Sequence, residues 1–323
     1  SIFSKVTGNP TDINLQDGIE IFKNGKFDGI IAIGGGSALD VGKLIALMSY
    51  QSISVWDLED FEDWWKRADS SLIKPIIAIP TTAGTGSEVG RAAVLTNSKT
   101  KEKKILFHPK ILPSVVIIDP LMTVSLPAKL TATTGMDALT HSLETYCVNN
   151  FHPMADGIAC ESIKIIHKNL EIAYSDGKNI DARYHMLCSS MMAGVAFQKG
   201  LGAVHSLAHA IGGIYNLHHG LLNAILLPYV LKFNEKEIEL KLSNVSNILG
   251  IGDSFSDLFS WVLSLRKNLN IPNKLSDIGL NTSKANQIAT NAFKDPSTST
   301  NPRKINDIND FSIIFEKAVK GDF

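Results

Sequence analysis

The sequence contains little of what marks secreted, membrane-spanning or nucleic-acid-binding proteins. Cys147, Cys160 and Cys188 are too few and too irregularly spaced for a disulfide framework or a metal motif, which favours buried thiols in a reducing compartment. No apolar run reaches the roughly 18 residues of a membrane helix. Because 31 basic residues nearly balance 32 acidic ones, no net field attracts nucleic acid or an anionic membrane. We expect a cytoplasmic protein with a small-molecule partner and neither nucleic acid nor membrane as a partner.

The first part of the sequence has the pattern of an α/β domain. Up to about residue 121, short β-branched runs at 29–33, 76–79 and 115–118 alternate with helical segments. Near-continuous apolar strands of this kind predict a parallel sheet covered on both faces. Between the first two runs, the stretch 56–71 carries three tryptophans and mixed charge, and we expect a surface excursion with some helix there.

After Pro127 the pattern changes to long amphipathic helices with no further convincing strand. The clearest of them lie at 129–148, 155–170 and 182–197. The stretch 296–302 is rich in Ser, Thr and Pro and predicts a short loop. A chain of 323 residues exceeds the usual size of one core, so we predict an α/β domain over 1–124 and an all-α domain over 125–323.

Two polar loops follow the first two predicted strands. In the first, Gly34-Gly35-Gly36-Ser37 and Asp40 precede a helical run from Val41. Such glycines let the backbone approach a pyrophosphate at a helix N-terminus, although a turn capped by Ser37 or Asp40 would look the same. The second loop, 80–88, supplies four hydroxyl groups and two glycines. Since the carboxyl ends of parallel strands meet at one edge, the two loops together favour a dinucleotide site.

Six possible metal ligands form two clusters. They are Asp137, His141, His205, His209, His218 and His219. The first two are four residues apart in a helical pattern and share a face, and the four histidines fall within fifteen residues. We expect Gly212-Gly213 to interrupt the second helix before a loop that carries the last two histidines. A carboxylate with several imidazoles suits a divalent metal, but spacing does not choose among the six.

Taken jointly, these motifs resemble the iron-containing (group III) alcohol dehydrogenases. The resemblance covers essentially the whole chain, from Gly34-Gly35-Gly36-Ser37 through Gly135-Met136-Asp137 and Gly202-Ala203-Val204-His205 to Asn301-Pro302-Arg303. It implies a dehydroquinate synthase-like architecture, with a Rossmann-like sheet before a helical metal-binding domain.

The resemblance also implies roles for individual residues. Asp137, His141, His205 and His219 stand at the family's ligand positions, and His209 stands at a histidine position that lines the substrate cleft and helps relay the hydroxyl proton. The cofactor residues implied are Gly35, Gly36, Ser37 and Asp40 at the pyrophosphate, Thr81, Thr82 and Thr85 beside the nicotinamide, and either Lys103 or Lys104 ahead of a strand near Ile105.

The activity implied is hydride transfer between NAD or NADP and a small primary alcohol or aldehyde, by an enzyme that we expect to form homo-oligomers. Fe(II) is the expected metal, and zinc is possible because such ligands bind it more tightly. Family members usually begin with about 60 further residues, two strands of which complete the cofactor site. As the sequence begins at Ser1 within the pattern, we expect it to be incomplete there, with the residue that selects NAD or NADP in the absent segment.

Three other interpretations remain open at this stage. One is a zinc-dependent polyol dehydrogenase of the glycerol type, and another is a synthase of the dehydroquinate type with the same site architecture. The third is a non-catalytic protein that binds a metal or a nucleotide. Three histidines with one aspartate favour the dehydrogenases over the synthase.

Overall fold

A parallel sheet lies in the first half of the chain, as the sequence predicts. The computed structural model describes residues 1–323. The strands are β1 (Ile30–Gly34), β2 (Ile76–Pro80), β3 (Ala92–Thr96), β4 (Lys103–Phe107) and β5 (Val115–Val116). Strands β1, β2 and β5 form the parallel sheet with β2 in the centre. Gly34 pairs with Pro80 at its edge, so the two polar loops leave the sheet side by side.

Ten α-helices make up most of the remaining structure. They are α1 (Asp12–Gly25), α2 (Gly36–Met48), α3 (Ala128–Cys147), α4 (Pro153–Ser175), α5 (Ile180–Ala196), α6 (Ala203–Tyr215), α7 (His219–Leu249), α8 (Phe255–Asn268), α9 (Ala285–Phe293) and α10 (Ile308–Lys320). The three predicted helices are confirmed as α3, α4 and α5, and no strand follows residue 127. None of the helices has both the length and the apolar composition for spanning a bilayer.

The parallel sheet differs from the prediction in two details. Only Val115 and Val116 of the run 115–118 form a strand. The expectation that both faces would be covered is wrong at β1, where Ile31 is 63% and Ile33 is 52% exposed. Ala32, which alternates with them, is buried against Leu39 of α2. This strand therefore packs through one face only.

An antiparallel hairpin stands apart from the parallel sheet. β3 pairs with β4, and Thr96 lies opposite Lys103. The strand near Ile105 that the family resemblance implied is β4, but neither β3 nor the antiparallel pairing was predicted, so the hairpin is a correction. Its turn, 97–102, is polar and short, and the close pairing holds the start of β4 in a fixed position.

Helix α6 does not end where the sequence suggested. It continues through Gly212-Gly213 to Tyr215 and ends at Asn216, which has the left-handed conformation with φ of 52°. A Cβ atom on Gly213 would lie 2.5 Å from the carbonyl oxygen of Lys101. The glycines therefore allow α6 to approach the β3–β4 hairpin, and they do not break the helix. The connection to α7 is short, and His219 is the first residue of α7 rather than a loop residue.

Short 3₁₀ turns lie in the predicted loop 296–302 and in the predicted surface excursion 56–71. The predicted loop 296–302 includes one turn, Pro296–Thr300, so its description as a loop is incomplete. The stretch 56–71 includes Trp64–Arg67 and overlaps Val55–Leu58, which fits the expected mixture of coil and helix.

The buried apolar side chains form two main clusters. One contains 16 residues between Leu15 and Ile111, and the other contains 48 residues, nearly all between Ala132 and Val319. The second is the core of the helical part. These separate cores support the division into domains 1–124 and 125–323, which stays a prediction.

Candidate active site

Three potential metal ligands converge between α3 and α6. Asp137 and His141 lie one turn apart on α3, and His205 projects from α6. One ligand atom from each lies within 4.8 Å of the others, and all three residues are buried. Helical spacing brings the first two together, while α7, which packs against both α3 and α6, holds the third beside them.

His219 completes this group from the first turn of α7. Its Nε2 atom lies 3.6 Å from Oδ1 of Asp137, and its ring centroid lies 5.4 Å from that of His205. Its side chain is 24% exposed. It lines the central cleft, a cavity whose wall also includes Ser37, Thr85 and His205. His218 is different, because its Nδ1 accepts a hydrogen bond from the amide of Leu221 and caps α7. The structure thus brings His219 to the centre and leaves His218 outside it.

Two of the imidazoles, His141 and His219, are held in the unprotonated form that binds metals. Burial lowers the pKa of His141 to about 4, although the charge of Asp137 acts in the opposite direction. Burial, and then the neighbouring histidines, lower the pKa of His219 well below its usual value. Neutral imidazoles present a free lone pair at neutral pH, as a metal ligand must.

Glu144 orients His205 and was not identified from the sequence. One carboxylate oxygen lies 2.5 Å from Nδ1 of His205, and the other accepts a hydrogen bond of 2.8 Å from the amide of Val204. Burial lowers the pKa of His205, but the hydrogen bond and charge of Glu144 outweigh it, so the pKa is raised. A proton on Nδ1 leaves Nε2 for a ligand. Metal-binding histidines commonly have such a carboxylate partner.

The four side chains fit a divalent cation. A buried carboxylate is costly without a positive partner, and Asp137 makes no ion pair with Lys or Arg. The buried Nδ1 atoms of His141 and His219 also lack hydrogen-bond partners. One carboxylate and three imidazoles form a donor set suited to Fe²⁺ or Zn²⁺.

His209 lies next to the four side chains and has an acidic partner of its own. Its Nδ1 is 2.8 Å from Oδ2 of Asp295, and its ring stacks on that of His219 with centroids 5.1 Å apart. Burial raises the pKa of Asp295, but the charge and hydrogen bond of His209 outweigh it, so the pKa is lowered. A carboxylate at Nδ1 favours the tautomer whose Nε2 is a proton acceptor.

The glycine-rich loop leads directly into α2. Gly35 is the N-cap residue and has no side-chain cap, and α2 begins at Gly36 rather than at Val41. The amide groups at this helix start are available to an anion. A Cβ atom on Gly36 would lie 2.6 Å from the side chain of Thr85. Glycine at 36 therefore allows the two polar loops to touch.

Asp40 connects α2 to the β3 hairpin. Its carboxylate accepts hydrogen bonds from Oγ of Ser87 (2.5 Å) and from the amide of Val94 (2.9 Å), and it lies 3.4 Å from Nζ of Lys43. Neither Asp40 nor Ser37 caps the helix. Asp40 thus fixes the loops around the cleft and also forms part of the cleft wall.

The three predicted threonines occupy different places. Thr85 lines the central cleft. Thr82 packs beside Gly35, where a Cβ atom would be 3.2 Å from its side chain. Thr81 donates its backbone amide to the carbonyl oxygen of Gly34 (2.9 Å). The structure brings Thr85 to the cleft with Ser37, and it places the other two at the junction of the loops.

Lys103 and Lys104 project in different directions from β4. Lys103 lines the central cleft, and its Nζ donates a hydrogen bond of 2.6 Å to Oδ1 of Asn9. Burial lowers its pKa to about 8. Lys104 pairs with Glu59 at 3.0 Å on the outer side. Of the two alternatives, Lys103 therefore has the position for a cofactor contact.

The central cleft joins the polar loops to the four potential ligands. Its wall includes Ser37 and Thr85 at one end and Asp137, His205 and His219 at the other. An anion-binding helix start, a lysine and a carboxylate–histidine centre in one cleft define a metal-dependent oxidoreductase that uses a dinucleotide.

Comparison with known proteins identifies the family. Residues 1–120 match the family model described as iron-containing alcohol dehydrogenase, and residues 131–319 match that of the C-terminal part of the same family. The chain belongs to the iron-containing alcohol dehydrogenase family. The predicted enzyme class, a metal-dependent oxidoreductase of alcohols that uses a nicotinamide cofactor, is thereby confirmed.

Individual relatives agree with this assignment. A 1,3-propanediol dehydrogenase of Klebsiella pneumoniae is 38% identical over 98% of this chain and 83% of its own. A crystal structure of 1,3-propanediol oxidoreductase superimposes with a TM-score of 0.92 at 36% identity, covering 98% of this chain and 84% of that one. The structure of a sulfoacetaldehyde reductase of Bifidobacterium kashiwanohense in complex with NAD⁺ superimposes with a TM-score of 0.89 at 28% identity. The match covers 100% of this chain and 84% of that one. The predicted fold class is confirmed by these structures.

Proposed function

We propose that this enzyme oxidises small primary alcohols, including terminal diols, and reduces the matching aldehydes, with Fe²⁺ held by Asp137, His141, His205 and His219. The observation that carries the proposal is the convergence of these four side chains at the end of the cleft that begins at the α2 start. The names of the 1,3-propanediol relatives support diols as substrates.

A divalent metal bound at this centre supplies Lewis acidity to an alcohol or carbonyl oxygen. His209 presents Nε2 as the proton acceptor, and Asp295 stabilises the resulting positive charge through Nδ1. His209 and Lys103 line both the central cleft and a second, polar cleft that also contains Asp295 and Lys294. The second cleft offers the proton a route to solvent.

The cofactor is proposed to lie along the two polar loops. The amide groups at Gly36 and Ser37 face the pyrophosphate, while Gly35 and Asp40 shape the loop around it. Thr85 contacts the nicotinamide side, and Thr81 and Thr82 support that contact. Lys103 donates a charged hydrogen bond to the anionic cofactor. NAD⁺ and NADP⁺ are both candidates. We further propose a cytoplasmic homo-oligomer with no nucleic-acid or membrane partner.

A direct assay tests this function. The purified chain, loaded anaerobically with Fe²⁺, is given 1,3-propanediol or ethanol with NAD⁺ and with NADP⁺, and the absorbance of reduced cofactor is followed. We expect alcohol-dependent reduction that chelator treatment removes. Cofactor reduction that is equally fast after complete removal of the metal would contradict the proposal. Parallel loading with Zn²⁺ compares the two metals.

Lys103 gives this enzyme a pH-dependent affinity for its cofactor. The group is charged below its pKa of about 8 and loses the charge as pH rises. A charged hydrogen bond stabilises by about 1.5–3 kcal/mol, so we expect KM for the cofactor to rise about tenfold between pH 7 and 9.5. Lys103→Arg stays charged and should flatten the rise. Lys104→Arg is the matched control, and a parent-like pH profile in Lys103→Arg would exclude this role.

Glu144 is expected to strengthen metal binding without touching the metal. Glu144→Gln keeps the size of the side chain but removes the charge beside His205. Loss of such an outer partner typically weakens metal affinity about 10- to 100-fold. Competition with a chelator measures the effect, and Glu161→Gln, at an exposed carboxylate paired with Lys164, serves as the control. Equal affinity in Glu144→Gln and the parent would argue against the role.

A further inference from the structure

Asn223 lies at the centre of the candidate metal site, although no sequence motif singled it out. It is one turn after His219 on α7 and is fully buried. Its Nδ2 atom is 2.6 Å from Oδ1 of Asp137, 3.2 Å from Nε2 of His205 and 3.1 Å from Nε2 of His219. A single amide group thus contacts three of the four proposed ligands, each on a different helix.

Asn223 acts as a hydrogen-bond donor toward the proposed ligands. Its amide nitrogen is a donor with two hydrogens, and the shortest contact is to a carboxylate, which makes the strongest hydrogen bond. The Nε2 atoms of His205 and His219 are the ones that a metal would take, so the bond that can persist beside a metal is the one to Asp137. The Asn223 amide therefore fixes the rotation of the Asp137 carboxylate and lies against the two imidazoles.

The other half of the amide excludes an ordinary core role. Oδ1 of Asn223 is buried and has no hydrogen-bond partner. A polar residue chosen only to stabilise α7 would satisfy both ends of its amide. At Asn223 the only polar contacts are those to the proposed ligands, so its placement follows from the site.

We infer that Asn223 is a positioning residue that holds the Asp137 carboxylate, between His205 and His219, in the orientation that binds the metal. The inference rests on the proposed function, because it assumes that these residues are metal ligands. It predicts that loss of the amide weakens metal binding while leaving the distant cofactor loops intact. The expected loss is about 10- to 100-fold in affinity, the range for partners that orient ligands.

The test uses Asn223→Leu, which keeps the branched shape but removes the polar groups, and Asn223→Ala, which truncates the side chain. Co²⁺ is the probe, since its visible spectrum reports ligand geometry, and its dissociation constant is measured by competition with a chelator. Binding of reduced cofactor, followed by fluorescence, reports on the folded state. Ser246→Ala is the matched control, because it removes a buried side-chain hydrogen bond farther along α7.

We expect both Asn223 variants to bind Co²⁺ about 10- to 100-fold more weakly, with a changed spectrum and unchanged cofactor affinity, and Ser246→Ala to match the parent. Parent-like Co²⁺ affinity in both Asn223 variants would overturn this inference and leave the proposed function standing. Failure of the parent itself to bind Co²⁺ would overturn both. Loss of cofactor binding in both variants would also overturn the inference, since it would place Asn223 in the folding core.

Discussion

Replacing His205 with alanine is expected to remove the metal and the activity together. The substitution leaves Asp137, His141 and His219 around an opening at the most buried part of the centre, where His205 is 1% exposed. Loss of a direct ligand should weaken binding by more than the roughly 100-fold seen for outer partners. Metal analysis after gel filtration and the rate of cofactor reduction measure the two effects.

The control for this substitution is His185→Ala, which removes an exposed imidazole from α5. It should retain the metal and the rate of the parent. His205→Ala that kept either a full complement of metal or a parent-like rate would show that the ligand set is wrong.

Replacing His209 with alanine is expected to separate metal binding from catalysis. The four proposed ligands remain, so the metal should be retained, while the proton acceptor beside the cleft is lost. General acid–base groups contribute about 10²- to 10⁴-fold to rate, and we expect kcat to fall by at least 100-fold. The pH dependence of kcat should also change, because the proposed proton acceptor is absent.

Asp295→Asn provides the companion variant. An amide at this position cannot stabilise the charge on His209, so kcat should fall by less than in His209→Ala, again with the metal retained. Added imidazole should partly restore the rate of His209→Ala, since it can occupy the space left by the ring. Loss of metal from His209→Ala would instead move this histidine into the ligand set.

The parts of the fold that follow local periodicity were predictable. The pattern at 129–148 placed α3 to within one residue, because its apolar face is continuous over five turns. The loops at 34–40 and 80–88 were placed at one sheet edge because parallel strands end together. Strand β3, and with it the antiparallel pairing to β4, was missed, since Ala92 and Ala93 give β3 no strong strand signal.

Glycines give a misleading sequence signal where they serve tertiary packing. Gly212 and Gly213 were read as a helix break, but Gly213 makes room for the Lys101 carbonyl group from a different part of the chain. Sequence spacing does not reveal such an approach. The actual end of α6 is Asn216, a residue type that tolerates the left-handed conformation.

The proposed ligands could be selected from the sequence, whereas the residues that contact them could not. Histidine density and the Asp137–His141 spacing gave six donors, and the family resemblance reduced them to the four that the structure brings together. Glu144, Asn223 and Asp295 were missed because their contacts join distant residues. His209 and Asp295 are 86 positions apart, for example. Local spacing gave a signal in two cases only: Glu144 lies three residues beyond His141, and Asn223 lies four residues beyond His219.

The most direct test of the account is a metal titration with activity as the second readout. The chain is stripped with a chelator, titrated anaerobically with Fe²⁺, and assayed for alcohol-dependent cofactor reduction at each step. We predict that activity rises in proportion to bound metal and reaches its limit at one ion per chain, and that His205→Ala shows neither binding nor activity. Full activity in the stripped parent, or undiminished binding in His205→Ala, would contradict the central claim.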